Sequence, residues 1–195
     1  KLKSNNYELV YTSHMIEHVP HFRIEKTFSE FNRILKKNGL LRISTPDLEK
    51  TAKAYINNDK SFFRTSQIHT NEDLSIGGMF LDTIISPGHQ TLAVQPDFSE
   101  ALGTYAHTYG FDFGMLEILL KKWGFDNIKR SDFAKSQIAE MRQINTITDG
   151  NNHYDLYNKD ALQKLRNNNN YYFTGFDNSQ EISIYVEATK IKDIK

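Results

Sequence analysis

His14, Glu17 and His18 bring two imidazoles and a carboxylate into one stretch of five residues. Residues of these types do acid–base chemistry near neutral pH or ligate a metal ion. The spacing His-x-x-Glu-His also spells the inverted zinc-protease motif. On a helix His14 and His18 would share a face and could hold zinc, which makes a zinc hydrolase one alternative. Pro20 argues against that helix, because it disfavours helical backbone at Val19. No metal is therefore expected, and a plain structural role, in which these side chains cap a turn and bond to one another, stays open. His89 and His107 are further candidates for a general base, although a lone loop histidine is more often an ordinary surface residue. Tyr105 and Tyr109, flanked by polar residues, are candidates to face a substrate. Phe111 and Phe113 are expected in the core.

The elements that must position these groups follow from periodicity. Glu8 to Thr12 is a short apolar, β-favouring run entered from a polar segment, so His14 falls just beyond a strand end. Ile24, Phe28, Phe31, Ile34 and Leu35 share one face at helical spacing. That predicts a helix over 23–37, with Lys36 and Lys37 suiting the dipole and Asn38-Gly39 as a left-handed stop. Leu40 to Thr45 is nearly all apolar, as a parallel strand covered on both faces should be. Thr45-Pro46-Asp47 then reads as a helix cap, a proline at the first helical position and an acid in the first turn. From Asn57 to Tyr109 the pattern loosens around Gly77-Gly78, Pro87-Gly88 and Pro96. A long irregular segment of this kind reads as a lid or binding loop. Met115, Leu116, Leu119, Leu120 and Trp123 form an apolar helical face stopped by Gly124, and a strand is expected over 127–133. Helices are expected near 135–144 and 159–166. Glu181 to Thr189 alternates cleanly and predicts a half-buried strand.

Composition bounds the function. The 195 residues fit a single domain, 1–195, with a sheet core to 47, a lid over 48–110 and a C-terminal part from 111. Lys and Arg number 24 against 24 Asp and Glu, so no generic phosphate-binding surface is indicated and nucleic acid is not an expected partner. The absence of cysteine removes disulfides, thiolate metal sites and cysteine nucleophiles. No apolar run approaches a membrane span, and no signal-peptide core opens the chain, so a soluble cytoplasmic protein is expected.

Four segments occur in the order found in class I S-adenosylmethionine-dependent methyltransferases. YELVYTSHMIEH resembles the family's fourth strand with the His-x-x-Glu-His turn of many small members. EFNRILKKNGLLRISTPDLEK resembles the helix end, fifth strand and Pro-Asp-Leu exit, with Lys37 and Asn38 standing where proline and glycine are usual. HTYGFDFGMLEILLKKWGFDNIKR is similar to the helix before strand six, and EISIYVEATK to the antiparallel last strand. The resemblance implies an α/β, Rossmann-like three-layer sandwich, mostly parallel, with an antiparallel last strand. It implies S-adenosylmethionine as cofactor and a small-molecule acceptor. Thr12, Ser13 and His14 would line the cofactor's methionine end, with Glu17 or His18 orienting the loop. Asp47, Tyr105 and Tyr109 would bind the acceptor, and His14, His107 or His89 would take its proton. The family's first strand and glycine loop are not in these residues, and a natural protein would carry roughly 60 to 80 residues upstream. A degenerate domain of the same fold, binding a partner or metabolite without turnover, is the alternative.

Overall fold

The computed structural model describes residues 1–66, 75–85, 107–142, 146–154, 159–167, 172–174 and 180–194. Its contacts divide the chain into two units, Lys1–Ser131 with Glu181–Lys195, and Asp132–Gln180. The first unit holds β1 (Tyr7–Ser13), α1 (His21–Ile34), β2 (Leu35–Pro46), α2 (Leu48–Ile56), α3 (Lys60–Ser66), α4 (Ile76–Ile85), α5 (Phe113–Lys122), β3 (Phe125–Ser131) and β7 (Ser183–Lys190). The second holds β4 (Thr146–Thr148), β5 (His153–Tyr154), α6 (Lys159–Arg166) and β6 (Tyr172–Thr174).

The apolar stripe on α1 decides how the first unit assembles. Ile24, Phe28 and Phe31 turn inward onto Leu41 and Ile43 of β2 and Ile184, Val186 and Ala188 of β7. Each phenylalanine so buried stabilises the fold by about 1.5–3 kcal/mol. β1 and β2 lie side by side and parallel, joined through α1, as the sequence predicts. The sheet order is β1-β2-β7-β3, and β7 runs antiparallel to both its neighbours. Three of the four strands therefore point the same way, while two of the three pairings are antiparallel. The expected mostly parallel sheet holds for strand direction but not for pairing, because the reversed strand is inserted between β2 and β3 rather than added at an edge. Among the described residues β1 is an edge strand.

Two boundaries differ from expectation. α1 stops at Ile34, and residues 36–39 bulge from β2, so pairing jumps from Tyr7–Leu35 to Leu9–Leu40. Asn38 takes the left-handed conformation (φ 67°). Gly39 is needed for space, since a Cβ there would lie 2.9 Å from the Lys36 carbonyl oxygen and 3.1 Å from that of Glu8. The end of α1 is held instead by a residue far along the chain. Lys190, fully buried, donates from Nζ to the carbonyls of Asn32 and Leu35, 2.7 Å each, where a cation also suits the helix dipole. The second difference is at α2, whose cap is Asp47 rather than Thr45. Pro46 is still paired in β2, opposite Ser183, so the helix cannot begin before Leu48.

The segment expected to be an irregular lid is partly helical. Phe63 of α3 and Met79 of α4 pack with Ala54 of α2 in a small core of their own, and Gly77-Gly78 sits within α4. α5 follows the predicted face: Asp112 caps it by accepting from Met115 N at 2.8 Å, and Leu116 and Leu120 are buried. Gly124 ends it with φ 78°. In the second unit, β5-β4-β6 form a small antiparallel sheet beside α6. Of the helix expected over 135–144, residues 143 and 144 lie outside the described residues, and the rest holds one 3-10 turn, Ala139–Arg142, where the Ser136 hydroxyl and carbonyl bond to Ile138 N and Arg142 Nε and bend the chain.

β2 also carries a residue that its apolar pattern conceals. Arg42 is fully buried, with Nη1 2.9 Å from Glu187 Oε1 on β7 and 2.9 Å from Ser131 Oγ on β3, and its guanidinium lies 5.3 Å from the centre of the Tyr185 ring. No helix among the described residues is long and apolar enough to cross a membrane.

Candidate functional site

β1 and β2 end side by side, and the candidate residues gather at those ends. His14 N donates to the Ser44 carbonyl at 2.9 Å, after which the chain turns with φ 45° at His14 itself. A non-glycine residue held there is a small reservoir of strain and a common feature of functional turns. The Ser44 hydroxyl donates to Ser13 Oγ at 2.9 Å. The His14 ring reaches across β2: Nε2 lies 2.8 Å from Ser183 Oγ on β7, and Nδ1 lies 3.3 Å from Glu17 Oε1. Ile16–His18 form only a single 3-10 turn, and Val19 is extended (ψ 123°) ahead of Pro20. The helix that would have put His14 and His18 on one zinc-binding face is not formed, for the reason Pro20 suggests.

Glu17 is the centre of the cluster. It is 1% exposed, its Oε2 accepts from Thr45 Oγ1 at 2.9 Å, and its carbonyl accepts from Thr108 N at 2.7 Å and Tyr109 N at 3.2 Å. Those backbone bonds bring His107 to His18, 89 positions away in the sequence; the two rings meet edge to face with centroids 4.8 Å apart. Burial raises the pKa of the Glu17 carboxyl, but His14, the residue's own backbone N–H and Thr45 outweigh it, and the net shift is downward. Oε1 nevertheless makes no hydrogen bond of good geometry: it lies near Nδ1 of His14 and, at 4.0 Å, near Nε2 of His18. His107 Nδ1 lies 2.9 Å from the Thr83 carbonyl, which can only accept, so Nδ1 carries the proton and Nε2 is left as an acceptor. Burial lowers the His107 pKa, against the raising effects of the Thr83 carbonyl and Glu17.

Asp47 has a structural duty as well as a place at the site. Its Oδ1 accepts from Glu49 N (3.0 Å) and Lys50 N (3.4 Å), and its Oδ2 is 3.9 Å from Arg130 Nη1. Tyr109 packs between His21 and Phe111, with ring centroids 4.8 and 5.0 Å away. Phe111 is fully buried, as expected of a core residue. Pro46, Leu48, Thr51, Thr83, His107 and Tyr109 line a small pocket beside the end of β2.

Among the described residues, the buried side-chain atoms without a hydrogen-bond partner are Thr12 Oγ1, Glu17 Oε1 and Asp47 Oδ2. All belong to the last residues of β1 or to the turns that follow β1 and β2. Natural proteins leave few such atoms unpaired, and a cluster of them at strand ends is a place for a ligand. Of the predicted site residues, His14, Glu17, His18 and His107 come together, Thr12, Ser13 and Asp47 lie at the adjoining strand ends, and Tyr109 borders the pocket. His89 and Tyr105 fall outside the described residues. Ser183, Thr45, Thr83 and Thr108 complete the network, and spacing in the sequence gives no sign of them.

No family model matches the chain, and no curated protein matches it. Solved structures that resemble it include an S-adenosylmethionine-dependent methyltransferase from Thermotoga maritima, described as a possible histamine N-methyltransferase, at 16% identity and TM-score 0.42. Another is a methyltransferase of the same dependence from Archaeoglobus fulgidus, at 13% identity and TM-score 0.40. A third is phosphoethanolamine N-methyltransferase 2 from Haemonchus contortus in complex with S-adenosyl-L-methionine, at 15% identity and TM-score 0.41. These alignments cover 97%, 97% and 98% of this chain, which spans 58%, 62% and 35% of the respective proteins. Likenesses of this size define neither a reaction nor a substrate for the chain.

Proposed function

We propose that the chain takes part in S-adenosylmethionine-dependent methyl transfer to a small-molecule acceptor. The observation that carries this reading is the cluster of orphaned polar atoms at the carboxyl ends of two parallel strands, where open α/β sheets take their ligands. The antiparallel last strand is also what the sequence resemblance implies for the second half of such an enzyme.

The residues present suit the cofactor's charge. S-adenosylmethionine supplies the methyl group on a cationic sulfonium and also carries an ammonium. Among the described residues Thr12 Oγ1 has no hydrogen-bond partner, and the nearest cation to Asp47 Oδ2 is Arg130, 3.9 Å away. In this reading Thr12, Ser13 and His14 hold the methionine end, while Glu17 and His18 fix the turn that presents them. The acceptor would lie beside the end of β2, near His107 and Tyr109 of the small pocket and Asp47 at the start of α2. Methyl transfer needs in-line alignment and, for some acceptors, loss of a proton. His14 would take that proton at Nε2 in exchange for its Ser183 contact, with Glu17 close to Nδ1 fixing the ring. His107 contributes to the same step from the acceptor side.

Incubating the full-length protein with methyl-labelled S-adenosylmethionine and a panel of small amines, phenols and carboxylates should transfer label to at least one of them. Labelled product should appear together with S-adenosylhomocysteine in equal amount. A protein that binds the cofactor but labels nothing across a broad panel would favour the non-catalytic alternative.

A further inference from the structure

We infer that Glu17, His18 and His107 form a binding site for one divalent transition-metal ion, of the kind zinc occupies. Each of the three can offer one ligand atom, and these atoms all lie within 4.8 Å of one another. Two imidazole nitrogens and one carboxylate oxygen make the donor set of open, three-ligand zinc centres, which leave a coordination position for water or substrate. The sequence motif pointed to His14 as the second imidazole. The fold brings His107 into that place, while Nε2 of His14 reaches Ser183 Oγ instead.

Three features mark this as a prepared site. Glu17 Oε1 is a buried carboxylate oxygen with no hydrogen bond of good geometry, 3.3 Å from His14 Nδ1 and 4.0 Å from His18 Nε2. Each anchored ligand has its outer partner: Thr83 holds Nδ1 of His107 and so leaves Nε2 for a metal, and Thr45 holds the other oxygen of Glu17. The backbone bonds from Thr108 and Tyr109 to the Glu17 carbonyl, with Thr108 Oγ1 on the Val19 carbonyl at 3.0 Å, clamp the distant ligand to the local pair. Tetrahedral zinc with bonds of about 2.0–2.2 Å places its ligand atoms about 3.3–3.6 Å apart. Side-chain rotations that draw the atoms together by about 1 Å reach that geometry.

The site lies within the proposed active site and deepens that reading. A ligating oxygen of the acceptor would take the open position, and His107 would then act on the acceptor through the ion rather than as a free base. Metal binding is measured without turnover, so its failure and the failure of methyl transfer are distinguishable. Full-length protein stripped with chelator should bind one equivalent of Zn2+ in calorimetry, and Co2+ should give the visible absorption of a low-coordinate centre. His18→Ala, His107→Ala and Glu17→Gln should each weaken Zn2+ by more than about 100-fold, since removal even of an outer-shell partner costs 10–100-fold. His153→Ala should leave binding unchanged. A readout that needs no variant is the ring-nitrogen resonances, where one equivalent of Zn2+ should move those of His18 and His107 but not His153. No saturable binding, shifts confined to other histidines, or a folded His107→Ala variant that binds Zn2+ like the parent would overturn the site.

Discussion

Replacing Glu187 by alanine should destabilise the protein by about 3–5 kcal/mol, and Arg42→Met should do the same. The two side chains are 1% and 0% exposed and meet at 2.9 Å in the middle of the sheet. Removing either one takes the ion-pair partner from the other's buried charge, and that penalty outweighs the modest net value of the intact pair. The paired replacement Arg42→Met with Glu187→Leu should recover most of the loss, because apolar side chains of similar volume carry no such penalty. Urea denaturation of the three variants measures this directly. Single variants within about 1 kcal/mol of the parent would show that water or another group reaches the pair.

His107→Ala should lower the rate of methyl transfer by about 10²–10⁴-fold, the range expected when a group of the chemical step is lost. Affinity for S-adenosylhomocysteine should change by less than about threefold, since His107 lies with the acceptor pocket rather than at the ends of Thr12 and Ser13. Its Nδ1 is committed to the Thr83 carbonyl, so only Nε2 can serve chemistry, directly or through a metal ion. A variant that turns over at the parent rate would reduce His107 to a packing residue. One that loses cofactor affinity in proportion would place it at the cofactor instead.

The elements with strong periodicity were legible in the sequence, and those set by distant partners were not. The inward stripe of α1, the alternation of β7 and the capped face of α5 each follow from local pattern, and each stands where the pattern puts it. Asn38-Gly39 looks like a helix stop because a left-handed residue before a glycine is the usual form of one. Here the helix is stopped earlier, by Lys190 on its last carbonyls, which local sequence does not reveal. Arg42 gives no local sign of its role, because its partner lies 145 residues away. Its matching position opposite Glu187, in a strand that otherwise alternates, was the available signal. Gly77-Gly78 reads as a break, yet Ile76, Met79, Phe80 and Thr83 of α4 keep helical spacing, and packing against Phe63 and Ala54 overrides the glycines' poor propensity.

The site divides in the same way. His14, Glu17 and His18 announce themselves by type and proximity, and Pro20 correctly argues against a helix through them. What they do depends on Ser183, Thr45, Thr83 and His107, all brought in by tertiary structure. The motif therefore suggested a metal site on His14 and His18 that the backbone does not build, and gave no sign of the His18–His107 pair that it does.

The measurement that tests the central claim most directly is calorimetry of the full-length protein with S-adenosylhomocysteine. It should show saturable binding at one site per chain. His14→Asn, chosen because asparagine tolerates the left-handed backbone at that turn, should weaken it by about tenfold, roughly the 1–2 kcal/mol of a lost hydrogen-bonding side chain. Binding indistinguishable from buffer, or binding that His14→Asn leaves untouched, would contradict a cofactor seated at the ends of β1 and β2.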